Sequence, residues 1–216
     1  MIAKSCKLND VKKFIHLSAL GVNKNFQSKY AISKYTGERN IIKEFPNVVI
    51  IRPSVVFGNE DNFVNLFSKM SNFSPILPII GTPKITSGKS FFPNINFKSG
   101  VNFQPVYVGD LADFIISSSF EEKKVYDLAG PGIVSFRMII ELILKLRKRK
   151  RICIPVPLFM ARLAAFFLEN LPYPLLTVDQ VILLKSDNIS KEGFENLKKK
   201  VDFPKSMEII LPTYIK

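Results

Sequence analysis

Tryptophan is absent from this chain, histidine occurs once, cysteine twice, and the 18 acidic residues are outnumbered by 31 lysines and arginines. Each shortage closes a class of function. Cys6 and Cys153 lie far apart, with no CxxC spacing and no histidines beside them, so neither a disulfide framework nor a zinc site is indicated. A reducing, cytosolic compartment fits that usage. Lys4, Lys7 and Asp10 interrupt any apolar core in the first ten residues, which excludes a signal peptide there. The most apolar stretch, "ICIPVPLFMARLAAFFLENLP", is broken by Pro155, Pro157 and Arg162. It falls short of the roughly 20 uninterrupted apolar residues of a spanning helix, so a buried or surface-lying helix is expected instead.

What is present describes a globular protein. The chain is 47% hydrophobic, 12% aromatic and 23% charged, and a domain of 216 residues buries roughly 70% of the surface its unfolded chain exposes. The net charge of +13 raises the question of a nucleic-acid partner, yet the lysines are spread along the whole chain. The one dense run, "RKRKR" at Arg147 to Arg151, follows an apolar helix, where cations favour the helix dipole. A solvated helix end is the first reading of that run, an anionic membrane or partner surface the second, and nucleic acid the least favoured.

Strand and helix signals alternate. "KKFIHLSA" reads as a central parallel strand, and "QSKYAISKYTGERNIIKEF" as a helix with a stripe of Tyr30, Ile32, Tyr35, Ile41, Ile42 and Phe45, ended by Pro46. "NVVIIRPSVVFG" is a second buried strand, which completes a βαβ unit. "NFVNLFSKM" predicts a short helix and "SPILPIIG" an extended segment; Thr82 to Asn102 reads as a long loop. "FQPVYVGDLADFIISSSF" predicts a strand and a helix capped by Asp110, and "KKVYDLAG" another strand running to a turn at Gly130 and Gly132. "SFRMIIELILKLRKRK" is an amphipathic helix with Ser135 as its N-cap. The remainder reads as helical and apolar.

Tyr30 and Lys34 fall on one face of a helix, about 5 to 6 Å apart, where an ammonium can stabilise a phenolate and lower the tyrosine pKa. A tyrosine so tuned serves as a general acid or base. Ser18, ending the preceding strand, is placed to hydrogen bond a carbonyl beside it. YxxxK alone is a weak signal, and an exposed helix with a lysine explains it equally well. His16 reads as a satisfied strand histidine, and Asp110 and Asp113 as a cap and a solvated position with no metal.

The order of Ser18, Tyr30, Lys34 and then "RPSVVFG" resembles the extended short-chain dehydrogenase/reductase superfamily. The segments "FIHLSALG", "SKYAISKYTGE", "RPSVVFGNEDNFVNLF", "SPILPIIG", "FQPVYVGDLAD", "TVDQVILLKSDNIS" and "LPTY" narrow the resemblance to the Rossmann-type accessory subunit of respiratory complex I and its bacterial relatives. It runs over nearly the whole chain except Thr82 to Asn102. It implies an α/β fold: residues 1–134 as the C-terminal part of a doubly wound, NAD(P)-binding sheet with an insertion at 82–102, and 135–216 as a small, mainly helical substrate or partner region. By resemblance, Ser18 polarises a substrate, Tyr30 transfers a proton and Lys34 holds the nicotinamide ribose. Pro53, Ser54 and Val55 lie beside the nicotinamide. The family holds its nucleotide, NADPH, as a structural ligand at the side of the peripheral arm close to the membrane. For this chain that implies the cytoplasmic face of the inner membrane.

The family opens with a strand and a GxxGxxG turn whose backbone amides hold the pyrophosphate, and these 216 residues contain no such motif. The expectation is a protein without its first nucleotide-binding half: a truncated or split relative, structural and not catalytic, that binds NAD(P) poorly by itself. The alternative is an NAD(P)-dependent oxidoreductase or epimerase whose missing half comes from a separate chain. Without those first strands, the strand at Phe14 to Ser18 has an unpaired edge.

Overall fold

The computed structural model describes residues 2–81, 84–86, 94–96, 100–117, 124–172 and 174–215. In chain order the elements are α1 (Ile2–Leu8), β1 (Ile15–Leu17), α2 (Lys29–Glu44), β2 (Val49–Pro53), β3 (Val56–Phe57), α3 (Asn62–Phe73) and β4 (Ile76–Ile80). Then follow β5 (Lys84–Thr86), β6 (Asn94–Asn96), β7 (Asn102–Phe103), β8 (Val106–Tyr107), α4 (Val108–Ser117), β9 (Val125–Leu128), β10 (Val134–Ser135) and α5 (Phe136–Leu146). The last part comprises β11 (Ile152–Val156), α6 (Leu158–Leu168), α7 (Val178–Leu183), α8 (Lys191–Lys198) and α9 (Met207–Tyr214).

The centre is a parallel sheet in the order β1-β2-β9, with Ile15 opposite Val49 and Ile51 opposite Tyr126. Successive side chains of a strand face opposite sides, and β2 uses both. Ile50 packs with Ala3, Phe45 and Val48 under α1 and α2, while Ile51 packs with Leu111, Phe114 and Leu197 under α4 and α8. Helices on both faces of a parallel sheet make the doubly wound arrangement expected from the apolar strands. Among the described residues, β1 pairs only with β2, so its other edge is open.

A second, larger core lies between α3, α5, α9 and β4. There Phe67, Phe103 and Phe136 meet Ile139, Ile140, Ile143 and Leu211. β4 pairs in parallel with β11 over five residues, from Ile76 opposite Ile152 to Ile80 opposite Val156. Residues 152–156 are therefore a strand, where the sequence reading expected helix. The β-branched run "ICIPV" is extended because Pro155 and Pro157 cannot supply the amides of a helix interior.

Asp110 is not a cap: it is buried in the first turn of α4, and its carboxylate accepts the Lys205 N–H at 2.6 Å. Ser135 does cap α5, accepting the Met138 N–H at 3.2 Å. Of the loop expected at Thr82 to Asn102, residues 84–86 and 94–96 pair as an antiparallel ladder and Asn102 begins β7; residues 82–83, 87–93 and 97–99 lie outside the described residues. Gly130 makes the predicted turn for a steric reason, since a Cβ there would stand 1.8 Å from the Pro105 carbonyl oxygen. No described helix is long and apolar enough to cross a membrane.

Candidate ligand cleft

A cleft of about 600 Å³ opens where β1 and β2 end, bounded by the start of α2 on one side and the segment 183–190 on the other. Crevices at the carboxyl ends of parallel strands are where open α/β sheets bind ligands. Ser18, Tyr30, Pro53, Ser54 and Val55 all line it. Lys34 does not.

Ser18 continues the β1–β2 ladder by one bond, its N–H donating to the Ile51 carbonyl at 2.8 Å. Ser18 is buried, only 5% exposed, and its hydroxyl has no hydrogen-bond partner among the described residues. A buried polar group left unpaired costs about 1 to 3 kcal/mol, so Ser18 Oγ is suited to meet a ligand atom. His16 has a similarly unpartnered buried atom, Nε2, under α2, and burial lowers its pKa. It is therefore a neutral strand histidine, but not the satisfied one expected.

The Tyr30–Lys34 pair has a different geometry from the one expected. The ammonium stands 5.9 Å from the centre of the Tyr30 ring and donates to the Leu17 carbonyl at 3.3 Å. Burial raises the Tyr30 pKa, where the sequence reading expected Lys34 to lower it. The phenol stays protonated at neutral pH. At the other wall, Ser54 Oγ donates to Asn188 Oδ1 at 2.6 Å and Val55 N–H donates to the same oxygen at 3.1 Å. Those polar atoms already have partners inside the fold.

Residues the sequence reading missed complete the site. Asp127, at the end of β9, lines the cleft, and burial raises its pKa against the opposing charge of Arg52. Its position just before the Gly130 turn was a usable signal, because strand ends of this kind border clefts. Behind the cleft, Arg52 donates twice to the buried Glu38 of α2, at 2.8 and 2.6 Å. Asn188 and Asp179 had no local signal: their partners stand 133 to 151 residues away in the chain.

No protein-family model matches the chain. The mouse mitochondrial NADH dehydrogenase (ubiquinone) 1 alpha subcomplex subunit 9 is 31% identical over 162 residues, which is 74% of this chain and 39% of the mouse protein. The Dictyostelium discoideum protein of the same name is 28% identical over 195 residues, covering 88% of this chain and 50% of that protein. The chain is a relative of this complex I accessory subunit. It spans half or less of the length of these relatives. Among solved structures, UDP-glucose 4-epimerase from Thermotoga maritima matches with a TM-score of 0.64 at 15% identity, over 99% of this chain and 65% of that one. A dTDP-glucose 4,6-dehydratase from Bacillus anthracis, solved with NAD, matches at 0.63 and 15%, over 99% and 64%. The chain thus shares the Rossmann-like fold of these two proteins.

Proposed function

We propose that these residues form the second half of a nicotinamide-nucleotide-binding unit that serves complex I, or an assembly like it, as a structural and not a catalytic part. The observation that carries this reading is the Tyr30–Lys34 geometry: the ammonium lies over the ring and is bonded to the Leu17 carbonyl, and the phenol is held protonated by burial. Acid or base work calls for a pKa close to the operating pH, and burial moves the Tyr30 phenol away from it. The cleft still fits one end of a dinucleotide. Ser18, with its unpartnered buried hydroxyl, would take a carboxamide or carbonyl, Tyr30 would flank it, and Pro53, Ser54 and Val55 would form its floor. When bound, such a nucleotide supplies a redox ring; here the residues around it orient and shield it.

The pyrophosphate is the weak point. No GxxGxxG turn occurs in the 216 residues, and the open edge of β1 is where further parallel strands of such a sheet would pair. Residues 1–134 are thus one wall of the nucleotide site, and 135–216 close it and face a partner. The site would be peripheral, at the cytoplasmic face of the inner membrane.

The test is NADPH binding by calorimetry, with this chain alone and with a polypeptide carrying the first half of the sheet. Binding is expected only for the pair. Tight binding by the chain alone would overturn the reading of an incomplete site. A second reading, an oxidoreductase or epimerase active when complemented, is favoured by Ser18 and Tyr30 sharing one cleft. Nucleotide turnover by the pair, lost in Tyr30→Phe, would establish it over the structural role.

A further inference from the structure

We propose that Asp179 is a positioning residue for Tyr30, holding the first turn of α2 from the C-terminal part of the chain. The inference rests on the reading of Tyr30 as a cleft residue. It does not require a bound nucleotide.

The first four N–H groups of a helix have no partner within it, and in α2, whose N-cap is Ser28, they belong to Ser28, Lys29, Tyr30 and Ala31. Two are answered locally. The Ser28 Oγ accepts the Ala31 N–H at 3.1 Å, and the Ser28 N–H donates to the Asn25 carbonyl at 3.4 Å. The other two go to Asp179: Lys29 N–H donates to Oδ1 at 2.7 Å and Tyr30 N–H donates to Oδ2 at 3.0 Å. The Ser28 hydroxyl spends its own proton on the same Oδ2, at 3.0 Å. Half of the cap therefore comes from a residue about 150 positions away in the chain.

Asp179 is itself firmly held. It sits in the first turn of α7, whose entry is fixed by a reciprocal capping box between Thr177 and Gln180, and Val181 is buried against Ala161 and Ala165 of α6. Lys185 adds a second link to the same chain entry, donating to Gln27 Oε1 at 3.0 Å. A carboxylate at the start of α2 is also favoured by the helix dipole, and charge-assisted bonds of this kind are about twice as strong as neutral ones. Because the Tyr30 amide is one of the groups held, its Cα–Cβ direction, and so the place of the phenol in the cleft, is set by the C-terminal region.

The test uses the full chain with tyrosine labelled at Cζ, the Tyr30 resonance being assigned by Tyr30→Phe. In Asp179→Ala the Tyr30 signal should shift and titrate closer to an ordinary phenol. The Lys29 and Tyr30 amides should exchange about tenfold faster, equivalent to ~1.4 kcal/mol, while the Tyr126 and Tyr214 signals stay in place. Asp179→Asn keeps the shape and one acceptor oxygen and should restore part of the protection. An unmoved Tyr30 signal in folded Asp179→Ala overturns the proposal. If that variant does not fold, Asp179→Asn decides: faster exchange confined to the first turn of α2 supports it, and no change or a uniform rise overturns it. Neither readout involves nucleotide, so loss of the binding proposal would leave this result standing.

Discussion

α2 and α5 are both amphipathic helices packed on the same molecule, and they are held in place in opposite ways. α5 buries Phe136, Ile139, Ile140, Ile143 and Leu144, a continuous apolar stripe at helical spacing. It caps itself with Ser135 and carries its own surface ion pair, Arg137 to Glu141 at 2.7 Å. α2 buries Ala31 and the charged Glu38, while Tyr30 and Ile32 from the expected stripe are nearly half exposed. Its cap is shared with Asp179, and its buried acid is balanced by Arg52 on β2. A helix whose stability lies in its own stripe is a packing element. One whose polar groups are satisfied by other segments has its position adjusted from outside, which is what a helix bordering a ligand cleft requires.

The contrast can be broken first at α5. Phe136→Ala removes a buried ring that touches Phe63, Phe67 and Phe103. It should cost about 3 to 5 kcal/mol, seen as a lower midpoint in urea. A loss below about 1 kcal/mol would mean that this core is loosely packed.

The matching change in α2 is Glu38→Ala, which leaves the Arg52 guanidinium without its carboxylate in a largely buried setting. Removing one partner of a buried pair costs about 3 kcal/mol or more. Replacing both, as Glu38→Met with Arg52→Met, should recover most of that loss in the same urea titration. If the double variant is as unstable as the single one, the pair is not the reason for the loss.

The smallest effect concerns Asp127, which faces Arg52 from β9. Burial holds its pKa above the ordinary carboxylate value, so the folded state binds this proton more tightly than the unfolded chain. Stability from this group therefore falls as pH rises from the unfolded carboxyl's pKa through the raised folded one. Asp127→Asn should be more stable than the parent at neutral pH. The difference should vanish once the pH drops below the ordinary carboxylate range, as followed by thermal unfolding against pH. A parent that is the more stable at neutral pH would mean that Arg52, not burial, dominates at this site.

The parallel strands, the helix at Lys29–Glu44 and the Ser18, Tyr30 cleft were legible because strand burial and helical spacing are local patterns. Lys34 was legible as a neighbour of Tyr30, but not in its bond to the Leu17 carbonyl. β11 was missed because an apolar run flanked by prolines reads alike as a helix start or a strand until its partner, β4, is known. Asp110 was misplaced because the acceptor of a cap and the acceptor of a distant amide look the same in one dimension.

By itself, the sequence determined the fold class and which residues would gather at the ends of the strands, because both follow from period and order along the chain. Only the tertiary structure decided the protonation of Tyr30, the burial of Glu38 and the hold of Asp179 on α2. The first follows from burial and the other two from a group of a distant segment standing within about 3 Å of a polar atom, and packing sets both.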